Sequence, residues 1–171
     1  MNRPRFPEIY GQRLDEAGAE IGAGDMLLSD VGGLDEFAFD ADLPRVAYDP
    51  AAERFVVVFR ADDDVEGQVD GELEIHLQAV EAGSGAEVGP SDERVSDMGP
   101  DGSLTYQGVF PAVAAAPAHG ELLVVWRGDD DTGGLVVGEW EIFGQRMRVA
   151  GPLRADGFEG GSVAAWSSAF P

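Results

Sequence analysis

The apolar residues of this chain fall into short runs that fit strands better than helices. Two of them, FVVVFR (55–60) and LLVVWR (122–127), are rich in β-branched and aromatic side chains, which is typical of strands. Since residues 55–59 and 122–126 are apolar without interruption, they predict central strands buried on both faces. The residues expected at their centres are Val57, Val58, Val124 and Val125.

Other segments alternate or are shorter. ELEIHLQAV (72–80) and EWEIFGQRM (139–147) have period-two alternation, which predicts strands with one buried face. The apolar residues of that face are Leu73, Ile75, Leu77, Trp140 and Ile142. Short apolar segments at 44–48 and 111–115, and weaker ones near 19–28 and 86–95, predict further strands. No window has a convincing helical pattern, because the glycines within 15–24 disfavour a helix there.

The chain repeats itself at a spacing of about 67 residues. Residues 44–78 align with 111–145 without a gap and share 18 identities in 35 positions. The segments EIYGQRL (8–14), EIHLQAV (74–80) and EIFGQRM (141–147) recur at the same spacing, and SDVG (29–32) matches SDMG (96–99). Internal similarity at a fixed period indicates a repeat architecture.

Each unit therefore has about four strands, which predicts an all-β chain built as a partial β-propeller. Tandem β-sandwiches or a β-solenoid remain the alternatives, although a sandwich usually needs about seven strands. The predicted divisions are a partial first repeat at 1–43, a second at 44–110 and a third at 111–171. The chain opens within the third strand of a unit, and Pro171 aligns with Pro111, the first residue of a unit.

That phasing leaves two open sheet edges, and open edges invite pairing with another chain. We expect the partners to be neighbouring repeats, either of a longer protein or of another copy that helps to close a ring. The sequence leaves both arrangements open.

Charge and composition exclude several classes of function. Asp and Glu number 33 against 11 basic residues, so the net charge is −22, and every basic residue is arginine. Such a chain repels phosphates, so nucleic-acid binding and binding to anionic membranes are not expected. Cysteine is absent, which removes disulfides, zinc–thiolate sites and thiol catalysis. No apolar run is long enough for membrane insertion. The acidity fits a high-GC gene, a halophilic setting or an extracellular cation-rich one equally well.

The repeated motifs resemble a repeat of large secreted or surface-anchored bacterial proteins, in which IYGQR, P-x-V-A and F-V-V-V-W segments alternate. Here IYGQRLD (9–15) fits the first motif, and Pro111, Val113 and residues 124–126 fit the others. The middle copy departs from the first motif at His76, Leu77 and Ala79. The resemblance implies a propeller-like fold and an extracellular or cell-surface location, and it implies no enzyme activity.

Two aspartate triplets are the first candidates for chemistry, since each follows a predicted central strand and leads into a glycine-containing loop. One interpretation is a solvated turn in an acidic protein. The alternative is a Ca²⁺ site, because Ca²⁺ prefers six to eight oxygen ligands. The residues that would hold the metal are Asp62, Asp63, Asp64, Asp129, Asp130 and Asp131. No other cofactor is expected.

A glutamate and a glutamine recur four residues apart in all three copies, and side chains at that spacing share one face of a strand. The pairs are Glu8 with Gln12, Glu74 with Gln78, and Glu141 with Gln145. Repetition in every copy favours a structural role, such as hydrogen bonding to the backbone of a neighbouring unit, over a ligand site. His76 replaces an aromatic residue, and His119 lies in a turn. The aromatic residues expected in the core or between units are Tyr10, Trp126, Trp140, Phe143 and Trp166.

These features predict a noncatalytic repeat module for surface display, ligand binding or adhesion. Two alternatives remain: an oligomeric propeller lectin that binds carbohydrate, and a fragment of a propeller-type glycosidase in which carboxyl groups do acid–base work. An abundance of acidic residues guarantees some close carboxylate pairs, so such a pair alone would not identify a glycosidase.

Overall fold

A computed structural model describes residues 7–32, 38–63 and 67–148, and in these ranges the chain is all-β with no helix. The strands are β1 (Tyr10–Leu14), β2 (Glu20–Leu27), β3 (Ala41–Asp49), β4 (Arg54–Ala61), β5 (Glu74–Glu81), β6 (Glu87–Arg94), β7 (Gln107–Ala116), β8 (Glu121–Asp129) and β9 (Glu141–Arg148). They form three antiparallel sheets in chain order: the first is β1–β2, the second β3–β4–β5–β6 and the third β7–β8–β9. Within the described ranges no closed barrel or propeller is detected, and no helix is long and apolar enough to cross a membrane.

Strand pairing repeats with the period found in the sequence. Val46 pairs with Val57 in the second sheet, and the residues 67 positions later, Val113 and Val124, pair in the third. The β1–β2 register likewise matches that of β5–β6, including a register shift at the same place. The segments predicted as weak strands near 19–28 and 86–95 are β2 and β6. Positions that are equivalent in sequence thus have the same backbone pairing.

In each full unit, a bulge before a proline interrupts the pairing of the first two strands, near the start of the first strand and the end of the second. The β3–β4 register shifts between Asp42 and Arg45, and the β7–β8 register shifts at the equivalent place. Leu43 and Phe110 have positive φ angles of 53° and 56°, which non-glycine residues rarely adopt. Proline lacks an N–H donor and is tolerated where the ladder is interrupted. The bulge therefore explains why each P-x-V-A motif begins with proline. Because pairing continues on the other side of the bulge, β3 and β7 start a few residues earlier than predicted.

The second sheet is covered on both faces. One face packs against the third sheet in a cluster whose buried members are Val56, Val58, Ile75, Leu77, Ala79, Val95, Met98, Leu122, Val124, Trp126 and Met147. The other face packs against the first sheet in a second cluster, formed by Ile9, Leu28, Val31, Ala41, Val57, Phe59, Ala61 and Val80. The three sheets are therefore stacked face to face, with apolar cores between them.

This stacking corrects three predictions about burial. Strand β5 is buried on both faces rather than one, because the second sheet lies between two others. Val125 is only half-buried, and Ile142, predicted to be buried, is 74% exposed. Both lie on the face of the third sheet that points away from the second. The face of β9 that meets the core carries Gln145 and Met147 instead.

Candidate functional site

The first aspartate of each triplet closes the loop between the second and third strands of its unit. Asp62 accepts a hydrogen bond from the backbone N–H of Gly71 at 2.6 Å, and Asp129 accepts one from Gly138 at 2.7 Å. Both aspartates are buried. Gly71 and Gly138 have φ angles of 85° and 86°, a conformation that favours glycine. These carboxylates therefore stabilise a turn that occurs identically in both units.

The second aspartates also bond to nearby groups. Asp63 accepts a hydrogen bond at 3.3 Å from the backbone N–H of Gly32, a residue of the preceding unit. The Asp130 carboxylate accepts bonds from the backbone N–H and the hydroxyl of Thr132, at 3.1 and 2.6 Å. Asp131 is exposed, and Asp64 lies outside the described residues.

Across residues 7–32, 38–63 and 67–148, no group of three or more His, Cys, Asp or Glu side chains is arranged to hold a metal ion. The triplets are brought to equivalent places on two sheets and are not brought together. The calcium site predicted from them stays a prediction, and Asp64 is the member whose geometry is not described.

We expect calcium to act on this protein mainly as a salt, because of the large negative charge of the chain. With a net charge of −22, the acidic side chains of the folded chain repel one another. Salt at physiological ionic strength screens the repulsion between charges that lie more than roughly 8 Å apart. We expect the melting temperature to rise with NaCl, and millimolar CaCl₂ to add nothing beyond NaCl at equal ionic strength. Differential scanning calorimetry of the parent and of Asp130→Asn checks this. A calcium-specific gain that disappears in the variant would establish a site, because specific binding stabilises only the native state.

The recurring glutamate is the centre of a buried hydrogen-bond network that is the same in two units. Glu74 accepts hydrogen bonds from the Ser96 hydroxyl and, at 2.7 Å, from the backbone N–H of Met98. The Ser96 hydroxyl oxygen in turn accepts the backbone N–H of Ile75 at 2.7 Å. Glu8, Ser29 and Ile9 repeat the arrangement.

The serines of this network were missed as structural residues in the sequence. Their signal in the sequence is that they are the first residues of the recurring segments SDVG and SDMG.

The recurring glutamine bonds to the backbone at the bulge that interrupts its strand. The Gln78 side-chain amide donates to the carbonyl oxygen of Ala79 at 2.9 Å, and its oxygen accepts the backbone N–H of Asp92 at 3.1 Å. Gln12 makes the first of these bonds with Arg13. The structural interpretation of the Glu–Gln pair fits these contacts, but the bonded groups belong to the same unit and not to a neighbouring one.

Burial makes these carboxyl groups weak acids. It raises the pKa of Glu74 to about 7, against the hydrogen bonds from Ser96 and Met98 and the nearby charge of Arg94, which all lower the pKa. Burial also raises the pKa of Glu8 to about 7. At neutral pH both carboxyl groups are therefore partly protonated.

Folding should consequently become less favourable as pH rises. The pKa of Glu74 is 4.5 in the unfolded chain and about 7 in the folded one. Its contribution to the free energy of unfolding is therefore fully present below pH 4.5 and is lost as the pH rises through about 7. We expect the free energy of unfolding to fall between pH 5 and pH 8. Glu74→Gln mimics the protonated form and should flatten that slope, as measured by urea denaturation at each pH. The exposed Glu20→Gln is the control and should leave the slope unchanged; equal slopes in parent and Glu74→Gln would contradict the account.

The two histidines and Arg13 lie in different surroundings. His76 is buried, stacks on Phe59 with ring centroids 6.1 Å apart, and bonds through Nδ1 to the carbonyl oxygen of Asp92 at 2.9 Å. His119 is exposed in a turn. Arg13 donates to the backbone carbonyls of Gly83 and Ser84, and so ties the first sheet to the second.

The predicted core aromatic residues divide between buried and exposed positions. Trp126 is buried and stacks on Phe143, which is half-buried, with centroids 6.2 Å apart. Tyr10 and Trp140 are exposed, and Trp140 lies under the guanidinium of Arg127 at 4.3 Å. Trp166 lies outside the described residues.

An apolar groove of about 590 Å³ lies between the first sheet and the first two strands of the second sheet. Its walls include Leu14 and Met26 on one side, and Val46, Tyr48 and Phe55 on the other. Neither Glu8 nor Glu74 lines it. The groove and the buried glutamates are thus separate features.

Comparisons of the chain with family models, with curated proteins and with solved structures find no match. The resemblance to bacterial surface repeats therefore remains an expectation from the motifs alone.

Proposed function

We propose that this chain is a noncatalytic repeat module of the cell surface, and that it serves in surface display, ligand binding or adhesion. The observation that carries the proposal is how the recurring polar side chains are used. The Glu–Ser network and the bulge-spanning glutamine bond to backbone groups of their own unit, in the same way in two units. Residues that recur for this reason maintain a scaffold.

The architecture we propose for the module is a partial β-propeller. Two features support it: the second sheet is a four-stranded meander in chain order, and its faces are covered by the sheets before and after it. Blades packed side by side around an axis have these properties. The secreted or surface location, and pairing with further repeats through open edges, rest on the motifs and on this arrangement.

The proposal disfavours a glycosidase. Acid–base hydrolysis needs one carboxyl group of raised pKa at a cleft where a sugar can reach it. The carboxyl groups of Glu8 and Glu74 have the raised pKa, but they do not line the groove.

A direct test measures hydrolysis and carbohydrate binding together. The chain is incubated with a panel of p-nitrophenyl glycosides and, in parallel, applied to a glycan array. We expect no release of nitrophenol and no glycan bound. Nitrophenol released by the parent and not by Glu74→Gln would establish the glycosidase, and a glycan bound in a saturable manner would establish the lectin. Leu123→Asp, on the exposed face of the third sheet, serves as the matched control.

A further inference from the structure

The groove lies where the first two strands of a preceding unit would pack. In the third sheet, β7 packs against β3, β4 and β5 of the second sheet. The equivalent strand of the second sheet, β3, has no such neighbour among the described residues, because the first sheet contains only β1 and β2. The open volume of about 590 Å³ occupies this place.

A comparison of equivalent side chains in the second and third sheets shows which apolar residues are left uncovered at the groove. Phe55 is 38% exposed in the groove, whereas Leu122, 67 positions later, is 1% exposed beneath the second sheet. Val46 is 63% exposed, whereas its equivalent Val113 packs against the core between the second and third sheets. The groove wall is therefore a surface of the same kind as one that is buried in the next unit.

A free strand edge adjoins the groove. In the part of the chain that the structure describes, β1 pairs only with β2. The corresponding edges of β5 and β9 are both paired, with β4 and β8 respectively, and in the same register. Unpaired backbone groups on such an edge readily pair with an added strand.

The groove also carries a charge that fits one kind of partner. Arg13 lines it, and Arg146 is the equivalent residue of the third unit. Arg146 lies 3.9 Å from Glu121, at the start of β8. A strand of the β8 type, paired to β1, would place its glutamate near Arg13.

We infer that the β1 edge and the adjoining groove together bind a β-hairpin of the repeat's own first-and-second-strand type, supplied by a further repeat. The hairpin pairs antiparallel to β1 and completes the first sheet as a four-stranded unit. Its inward side chains cover Phe55 and Val46, as the second sheet covers Leu122 and Val113. This inference rests on the proposed stacking of repeats and names the partner of one of its surfaces.

The experiment adds the hairpin to the intact chain. A copy of residues 107–133, placed directly before Met1, keeps the same spacing from the copied Asp129 to Glu8 as the third unit has from Asp129 to Glu141. Hydrogen exchange by NMR then reports on β1. We expect the β1 amides that point away from β2 to exchange at least about tenfold more slowly than in the parent chain.

Two variants of the added copy test the orientation. In the inferred arrangement, the added residue that corresponds to Leu123 faces Phe55, and the one that corresponds to Val124 faces solvent. An aspartate at the first position should abolish the protection of β1, and an aspartate at the second should preserve it. The expected effects of the two substitutions are the reverse of those in the third sheet, where Val124 is buried and Leu123 is exposed.

Three outcomes would overturn the inference. One is exchange of the β1 amides at the parent rate while β4 and β5 stay protected, which leaves the stacked repeats intact and removes only the hairpin site. A second is equal loss of protection with either aspartate. A third is a dimer of the parent chain that Phe55→Asp dissociates, because the occupant would then be a second copy. Loss of protection in β4 and β5 of the parent would instead contradict the proposed stacking itself.

Discussion

Replacing Val124 by aspartate is expected to prevent folding at room temperature. Val124 is fully buried between the second and third sheets, beside Val56, Val58 and Leu122. An unpaired carboxylate there loses its hydration and leaves part of the valine's volume unfilled, so that the cost is comparable with the whole stability of a domain of this size. A domain of this size is stable by only about 5–15 kcal/mol. Circular dichroism and urea denaturation should show little native β-structure in the variant.

The neighbouring residue provides a matched control for this variant. Leu123→Asp makes the same chemical change one position earlier on the same strand, at a side chain that is 49% exposed. Because its face of the third sheet is open, we expect a melting temperature within a few degrees of the parent. Equal destabilisation by the two variants would mean that the faces of β8 have been assigned incorrectly.

Phe59→Ala should cause the second largest loss, about 3–5 kcal/mol in the free energy of unfolding. Phe59 is fully buried between the first and second sheets and stacks on His76. Its removal leaves a cavity that the two sheets cannot close without breaking contacts elsewhere. Urea denaturation at constant pH measures the loss.

Phe55→Ala, on the same face of β4, is the control for Phe59→Ala. Phe55 borders the open groove, so its truncation should cost roughly 1 kcal/mol. A loss as large as that of Phe59→Ala would show that the groove is closed in solution. Such a result would also count against a vacant hairpin site.

The sequence predicted the strands and their repetition because both depend on local pattern. β-branched runs and period-two alternation depend on neighbouring residues, and the 67-residue repeat is visible by alignment alone. The agreement of register between units, such as Val46 with Val57 and Val113 with Val124, followed from the same similarity.

Burial was harder to predict, because alternation shows which residues share a face and not what covers that face. Gln78 and His76 form a polar face, and that face is buried because another sheet lies against it. Ile142 is apolar and exposed because its sheet is the last of the described stack. The sequence around each residue does not show which sheet, if any, covers it.

The candidate site was predicted in part. The recurrence of Glu74 and Gln78 correctly indicated a structural role, but the hydrogen-bond partners could not be foreseen, because Ser96 and Asp92 reach them only across paired strands. The aspartate triplets are visible in the sequence as loops, whereas the bond that the Gly71 N–H donates to Asp62 depends on a glycine with positive φ.

The central claim is that units of this chain stack face to face in a fixed 67-residue register. Inserting a second copy of residues 44–110 after residue 110 tests it most directly, since whole units added to a stack should each find a covered face on both sides. We predict a folded chain that unfolds in one cooperative urea transition, with a midpoint at or above that of the parent. Inserting residues 44–76 alone, which breaks the register, should lower the midpoint. A whole-unit insertion that destabilises as much as the half-unit insertion, or that unfolds in a separate transition, would contradict the account.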